Sequence, residues 1–204
     1  MPAVAQAVFA DSRASLPAPM GSADGVSMQA TPGFARSTAL GISFRPIVPT
    51  DDELVYQIYA GTRTAELAPV PWSEEQKETF LRSQAHAQNV HYAKHYADAS
   101  FDIILAHGAP SGRLYVVRTA SEFRVVDIAL LPAFRGRGFG AAILNDLFDQ
   151  ARAAGVCVTI HVEHSNPARR LYQRLGFQVV SDEGIYLQMQ WSPVAMSTGS
   201  TDLQ

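Results

Sequence analysis

Three glycines in five residues, Gly136, Gly138 and Gly140, follow an apolar stretch that ends at Pro132 and precede an amphipathic one. Glycines let a backbone approach a ligand closely, and the first turn of a helix offers unpaired N–H donors at the positive end of its dipole. Phosphate or pyrophosphate is the natural guest of such a turn. Arg135 and Arg137 can add charge-assisted bonds to it. A plain strand-to-helix turn with solvated arginines explains the same residues equally well. The spacing is not that of the dinucleotide fingerprint Gly-x-Gly-x-x-Gly, and the Gly-Lys-Ser/Thr of a P-loop is missing.

A second group of residues runs from Asn166 to Phe177, with Pro167, Leu171, Tyr172, Leu175 and Gly176 between them. Asn166 before Pro167 reads as a helix N-cap. Tyr172 reads either as a core ring beside Leu171 and Phe177 or as a proton donor, its phenol having an ordinary pKa of about 10. Asp127, His161, Glu163 and His164 are the titratable groups on or just after the two apolar strands, and each is a candidate proton acceptor. Strand alternation puts His161 and Glu163 on one face and turns His164 away. His91 and His95, four apart on a helix, are metal-compatible, but there is no clear third ligand. These rings are expected to pack on the sheet or line an acceptor pocket, with no metal.

The elements that position these groups show as repeated switches of period. Residues 42–45 alternate like a strand. Thr50 and Glu53 form a capping box ahead of Leu54, Val55, Ile58 and Tyr59. Ser73 and Gln76 form a second, opening a helix toward Tyr96. Residues 101–106, 113–118 and 123–130 are strand-like. A helix spans about 138–154 and ends at Gly155. Residues 156–162 form a strand, 166–175 a helix stopped by Gly176, and 177–180 and 185–190 a final strand pair. The mixture predicts an α/β or α+β sheet with helices packed on it.

The two motifs in this order, each after a strand, resemble the GNAT superfamily of acetyl-CoA-dependent N-acyltransferases. Its cofactor motif, Arg or Gln-x-x-Gly-x-Gly or Ala, is matched by Arg135, Gly138 and Gly140. Its later segment is matched by Asn166, Leu171, Tyr172, Leu175, Gly176 and Phe177. The resemblance implies an α/β (mixed α+β) fold. Its central sheet is mixed but mostly antiparallel, of six to seven strands, with about four helices flanking it. It further implies that the strand before the loop splays from its neighbour and that the pantetheine arm of acetyl-CoA, the cosubstrate, lies in the gap. Backbone groups of Leu130 and Leu131 would hold that arm, with the Leu130 N–H facing the thioester carbonyl. Backbone groups of Arg135, Gly136, Arg137, Gly138, Phe139, Gly140 and Ala141 would bind the pyrophosphate. Asn166 would touch the arm, Tyr172 would protonate the leaving sulfur, and Glu163 or Asp127 would serve as base. The implied reaction is direct attack by a primary amine, of a small molecule or a peptide, in a ternary complex. A non-catalytic acyl-CoA-binding or regulatory module on the same fold is the alternative, and a nucleotide-binding protein a distant third.

Composition narrows the setting. The chain has 204 residues and a formal charge of −3, which is no nucleic-acid footprint. One cysteine, Cys157, excludes an intrachain disulfide and a multi-cysteine zinc site. A reducing, cytoplasmic setting is the default. No apolar run approaches the ~20 residues of a membrane span. Residues 135–174 carry a local balance of +3, suited to a small polyanion, whereas residues 51–78 hold seven acids and two bases, which could attract a cationic amine. The first forty residues are rich in Ala, Ser, Pro, Gly and Met and lack the basic start of a signal peptide. The expected organisation is a low-complexity or disordered tail over 1–40, one domain over 41–191 and a polar tail over 192–204. A homodimer is kept open.

Overall fold

The computed structural model describes residues 33–193. Of the tails expected over 1–40 and 192–204, residues 1–32 and 194–204 lie outside the described residues. The order is α1 (Ala35–Ala39), β1 (Ile42–Pro46), α2 (Asp52–Leu67), α3 (Glu74–His95), β2 (Ala99–Ala106), β3 (Ala109–Arg118), β4 (Glu122–Leu130), α4 (Phe139–Ala154), β5 (Cys157–Glu163), α5 (Arg169–Arg174), β6 (Gln178–Glu183) and β7 (Tyr186–Trp191). The seven strands form one sheet in the order β1-β2-β3-β4-β5-β7-β6. All neighbours are antiparallel except β4 and β5. A parallel pair needs a crossover, and α4 supplies it. This is the GNAT-like mixed, mostly antiparallel sheet, with five α-helices among the described residues.

Strand alternation divides the apolar side chains between two faces. On one face, Ile143, Leu144 and Leu147 of α4 are fully buried against Leu114, Val116, Val125, Val158 and Ile160. On the other, Val55 and Ile58 of α2 pack on Ile103 and Ala129. Leu81 and Ala85 of α3 pack in turn with Tyr56 and Tyr59 of α2. No helix among the described residues is long and apolar enough to cross a membrane.

Two sequence expectations are corrected here. The boundary at residue 41 falls inside the fold, because α1 is part of it. Phe34 is buried, its ring centroid 4.5 Å from that of Phe44. The Asp146 carboxylate of α4, itself 1% exposed, accepts from the Arg36 N–H (3.0 Å), the Ser37 N–H (2.8 Å) and the Ser37 hydroxyl (2.7 Å). These donors belong to the first turn of α1, which has no side-chain cap of its own. The second correction concerns Thr50, which is not an N-cap. Residues Pro49–Asp51 form a 3-10 turn and α2 begins at Asp52. Asp51 turns back instead, accepting from the Val48 N–H at 2.9 Å and from Arg45 at 2.6 and 2.7 Å. The Arg45 guanidinium holds that carboxyl below its ordinary range. The Ser73 box forms as read, with Gln76 N–H to Ser73 Oγ at 3.2 Å and Ser73 N–H to Gln76 Oε1 at 2.9 Å.

Candidate active site

The parallel pairing of β4 and β5 runs only from Glu122 with Cys157 to Val125 with Ile160. Beyond it β4 continues to Leu130 and β5 to Glu163, so the strands part. The parting coincides with a bulge. Val125 lies opposite Val116 and Asp127 opposite Tyr115, which leaves Val126 as the extra residue. A bulge bends and twists its strand. At the far end the Leu131 N–H donates to the Ser111 carbonyl at 2.8 Å. Alternation then turns the Leu130 N–H to the opposite edge, into the gap. The structure thus leaves the Leu130 donor open, whereas the Leu131 N–H is engaged by β3 and its carbonyl accepts from the Phe134 N–H at 2.9 Å. Of the two residues, Leu130 is the one whose backbone donor faces a ligand in the gap.

The loop after β4 presents a row of unpaired backbone N–H groups. Gly136 has φ +72° and Gly138, the N-cap of α4, has φ +82°, a left-handed conformation that costs a side-chain-bearing residue about 1–2 kcal/mol. Nothing stands within 4 Å of where a Cβ would sit on either. The first bond of α4 is Ala142 N–H to Gly138 O at 3.0 Å. The N–H groups of Gly136, Arg137, Gly138, Phe139, Gly140 and Ala141 have no partner among the described residues. The Phe139 side chain is core, so only its N–H faces outward. The Arg135 side chain bonds within the protein. Its Nε donates to the Leu130 carbonyl and its Nη2 to the Gly61 carbonyl, both at 2.9 Å, which ties the loop to β4 and α2. Arg137 lies over the Phe134 ring at 5.6 Å and is exposed.

Asn166 and Tyr172 lie beyond β5. Asn166 Oδ1 accepts from the Ala168 N–H at 2.9 Å. Residues 166–168 form tight turns and α5 starts only at Arg169, later than the spacing suggested. Tyr172 is 4% exposed and packs edge-on to Phe177, with centroids 5.7 Å apart. Its hydroxyl has no hydrogen bond among the described residues, yet is not among the fully enclosed unpaired atoms. Burial and the nearby Asp127 carboxylate raise its pKa, so the phenol stays in its donor form at neutral pH.

The candidate bases differ in their surroundings. Glu163 is held in a two-point ion pair by Arg63 of α2, at 2.6 and 3.1 Å. Asp127 has Oδ2 2.6 Å from Arg113 Nη2, and its Oδ1 has no hydrogen-bond partner among the described residues. His161 is 3.8 Å from Glu183 and His164 3.1 Å from Asp182. Sequence reasoning missed Arg63 and Arg113. Arg113 could have been noticed as a charge inside the apolar run of β3. On α3, Tyr92 packs edge-on against Tyr115 of β3 at 5.7 Å, and the His91 and His95 rings lie 4.4 Å apart. The acidity of residues 51–78 is largely answered locally: Glu53 and Glu78 pair with Arg82, Glu66 with Arg63 and Glu74 with Lys77.

Residues 99–179 match the family model for the acetyltransferase (GNAT) domain. The ribosomal protein bS18-alanine N-acetyltransferase of Haemophilus influenzae is 40% identical over 60 residues, which are 29% of this chain and 41% of that protein. The N-alpha-acetyltransferase RimI of Mycobacterium tuberculosis is 37% identical over 59 residues, 29% and 37% of the two chains. The match therefore spans about two fifths of the length of these curated relatives. Among solved structures, the PaiA N-acetyltransferase of Thermoplasma acidophilum in complex with coenzyme A superposes with a TM-score of 0.57 at 17% identity. The superposition covers 74% of this chain and 98% of that one. That likeness shows a shared fold.

Proposed function

We propose, from the match of residues 99–179 to the acetyltransferase (GNAT) domain model, that this protein moves an acetyl group from acetyl-CoA to a primary amine. The observation that carries the proposal is the parting of β4 and β5 after Val125 and Ile160. The gap has the open Leu130 donor on one side, and Tyr172 and Asp127 are close enough to interact electrostatically. The free N–H groups from Gly136 to Ala141 suit the pyrophosphate of acetyl-CoA. The side chain of Asn166 suits its amide-bearing arm.

The residues divide the chemistry. The amine nitrogen forms a bond to the thioester carbonyl carbon, and the C–S bond breaks. Leu130 N–H steadies the oxygen that becomes negative between those events, a donor type whose loss typically costs about 2.7–4 kcal/mol. Tyr172 gives its proton to the departing sulfur. Asp127, with an oxygen left free, accepts the proton the amine releases; Glu163, held at two points by Arg63, is the weaker acceptor. The acceptor ammonium sheds one proton to solvent before attack, and the proton that Asp127 takes afterwards is returned to Tyr172, so the net products are an amide, the free thiol and one proton. Both curated relatives are named for α-amine acceptors, which favours a peptide α-amine here. Calorimetric titration with acetyl-CoA, followed by thiol release with a panel of N-terminal peptides, lysine peptides and small amines, tests this reading. Binding with amine-dependent release is expected. Binding without release from any amine would favour a non-catalytic module, and no binding would overturn the proposal.

A further inference from the structure

Arg113 is the most unusual side chain near the site. It lies on β3, is 2% exposed, and its Nε and Nη1 have no hydrogen-bond partner. A fully buried guanidinium is poorly compensated by one carboxylate, and an apolar residue of similar size would serve the core as well or better. Its single nitrogen Nη2 meets two groups, Asp127 Oδ2 at 2.6 Å and Gln88 Oε1 of α3 at 2.7 Å. Its carbon Cζ lies 5.3 Å from the centroid of the Tyr115 ring, which Tyr92 abuts edge-on. The guanidinium is therefore walled in by rings and fixed at one end. Asp127 sits immediately past the bulge, at the mouth of the gap.

We infer that Arg113 is a positioning residue for acetyl transfer: it grips Asp127 by Oδ2 from inside the fold and so presents Oδ1 to the acceptor nitrogen in the gap. This rests on the acetyltransferase reading above. Arg113 itself touches neither substrate, because its guanidinium is sealed from solvent. The proton passes from the amine to Asp127 Oδ1, while Oδ2 stays on Arg113. The other groups that face Asp127 are Tyr115 of β3, Tyr92 of α3 and Tyr172 of α5, with Tyr59 and Arg63 of α2 beyond Arg113. All the tyrosines are neutral near pH 7, so Arg113 is the charge that governs this carboxylate.

Single-turnover rates with a competent amine, taken across pH, test the inference. Arg113→Met should cut the plateau rate by up to about 10²-fold. Acetyl-CoA affinity should hold. In an Asp127→Asn background, Arg113→Met should change the rate no further. Should Arg113→Met fail to fold, Arg113→Lys keeps the charge without the planar fork; it should lower the plateau rate. A wild-type rate in Arg113→Lys or in folded Arg113→Met, or full additivity with Asp127→Asn, would each overturn the inference alone. A wild-type protein that acetylates no amine would overturn the underlying reading as well, and the two failures are thereby told apart.

Discussion

Adding one methyl group at Gly112 should disable the site from behind. Gly112 lies on β3 opposite Leu130, and its backbone needs no special dihedral. A Cβ there would stand 2.2 Å from the Ala129 carbonyl oxygen, 2.8 Å from Leu130 Cδ2 and 3.1 Å from Leu130 Cα. To reach even 3.0 Å from that oxygen, the end of β4 must retreat by about 0.8 Å. The Leu130 N–H points away from β3, so it is carried into the gap by the same amount. A donor aimed at an oxyanion works only within about 2.7–3.1 Å, and its loss costs ~10²–10³-fold in kcat. Gly112→Ala should thus lower single-turnover acetyl transfer by about 10²-fold. Overpacking of this kind also costs ~1–3 kcal/mol, or about 2–4 °C of Tm per kcal/mol in a domain of this size. The assay pairs stopped-flow thiol release under saturating acetyl-CoA with calorimetric Kd and a melting curve. The decisive comparison is between rate and stability. A variant that melts lower but transfers acetyl at the wild-type rate would refute the link between this contact and the oxyanion donor.

Tyr172→Phe keeps the ring against Phe177 and removes only the phenol, so kcat and kcat/KM should fall together by ~10²–10⁴-fold with little change in acetyl-CoA Kd. Gly140→Val should abolish acetyl-CoA binding while melting near wild type, because a Cβ at Gly140 meets only Leu171 at an ordinary 3.6 Å; Gly138→Val should lose binding and also melt lower, its φ of +82° being strained for valine. Deleting residues 1–32 should leave Tm and acetyl-CoA Kd unchanged. Deleting residues 1–40 should lower Tm markedly, since Phe34 alone buries a side chain worth ~1.5–3 kcal/mol and the Asp146 carboxylate loses the donors of Ser37. Arg45 holds Asp51 below its ordinary pKa of 3.8, so this contribution is complete above that value and lost as pH falls through the depressed one; acid-melting curves of Asp51→Asn should be flatter in that window than those of wild type.

What the sequence made legible was local. The glycines of the loop, the Ser73 box and the Gly155 stop depend on neighbours within a few residues, and each stands where its spacing put it. The strands were found by their alternation, to within a few residues at their ends. What stayed hidden depends on distant partners. The cap of α1 is a carboxylate 109 residues away, so the segment around Ser37 carries no start signal of its own. Asp51 outcompeted Thr50 because Arg45, on the preceding strand, drew its carboxylate back. Which of Leu130 and Leu131 turns its N–H toward the gap is a matter of hydrogen-bond phase, which is visible only once β3 and β4 are in register. Arg135 kept its motif position and yet spends its guanidinium on two backbone carbonyls, one of them on α2. Arg113 and Asp127 meet across two strands, a pairing that no single stretch of chain announces.

The short neck between β4 and β5 has one more consequence. An open sheet ordinarily has two free edges, which proteins must guard against pairing with other chains. Only four residue pairs join these two strands, so beyond Val125 and Ile160 the sheet acquires two further edges that face each other inside the molecule. One shield is visible: Arg63 reaches Glu163 across from α2. Solubility on heating should therefore depend on whether this slot is filled. A ligand lodged there would act as a plug against strand insertion, and light scattering during a thermal ramp should begin later with acetyl-CoA than without it.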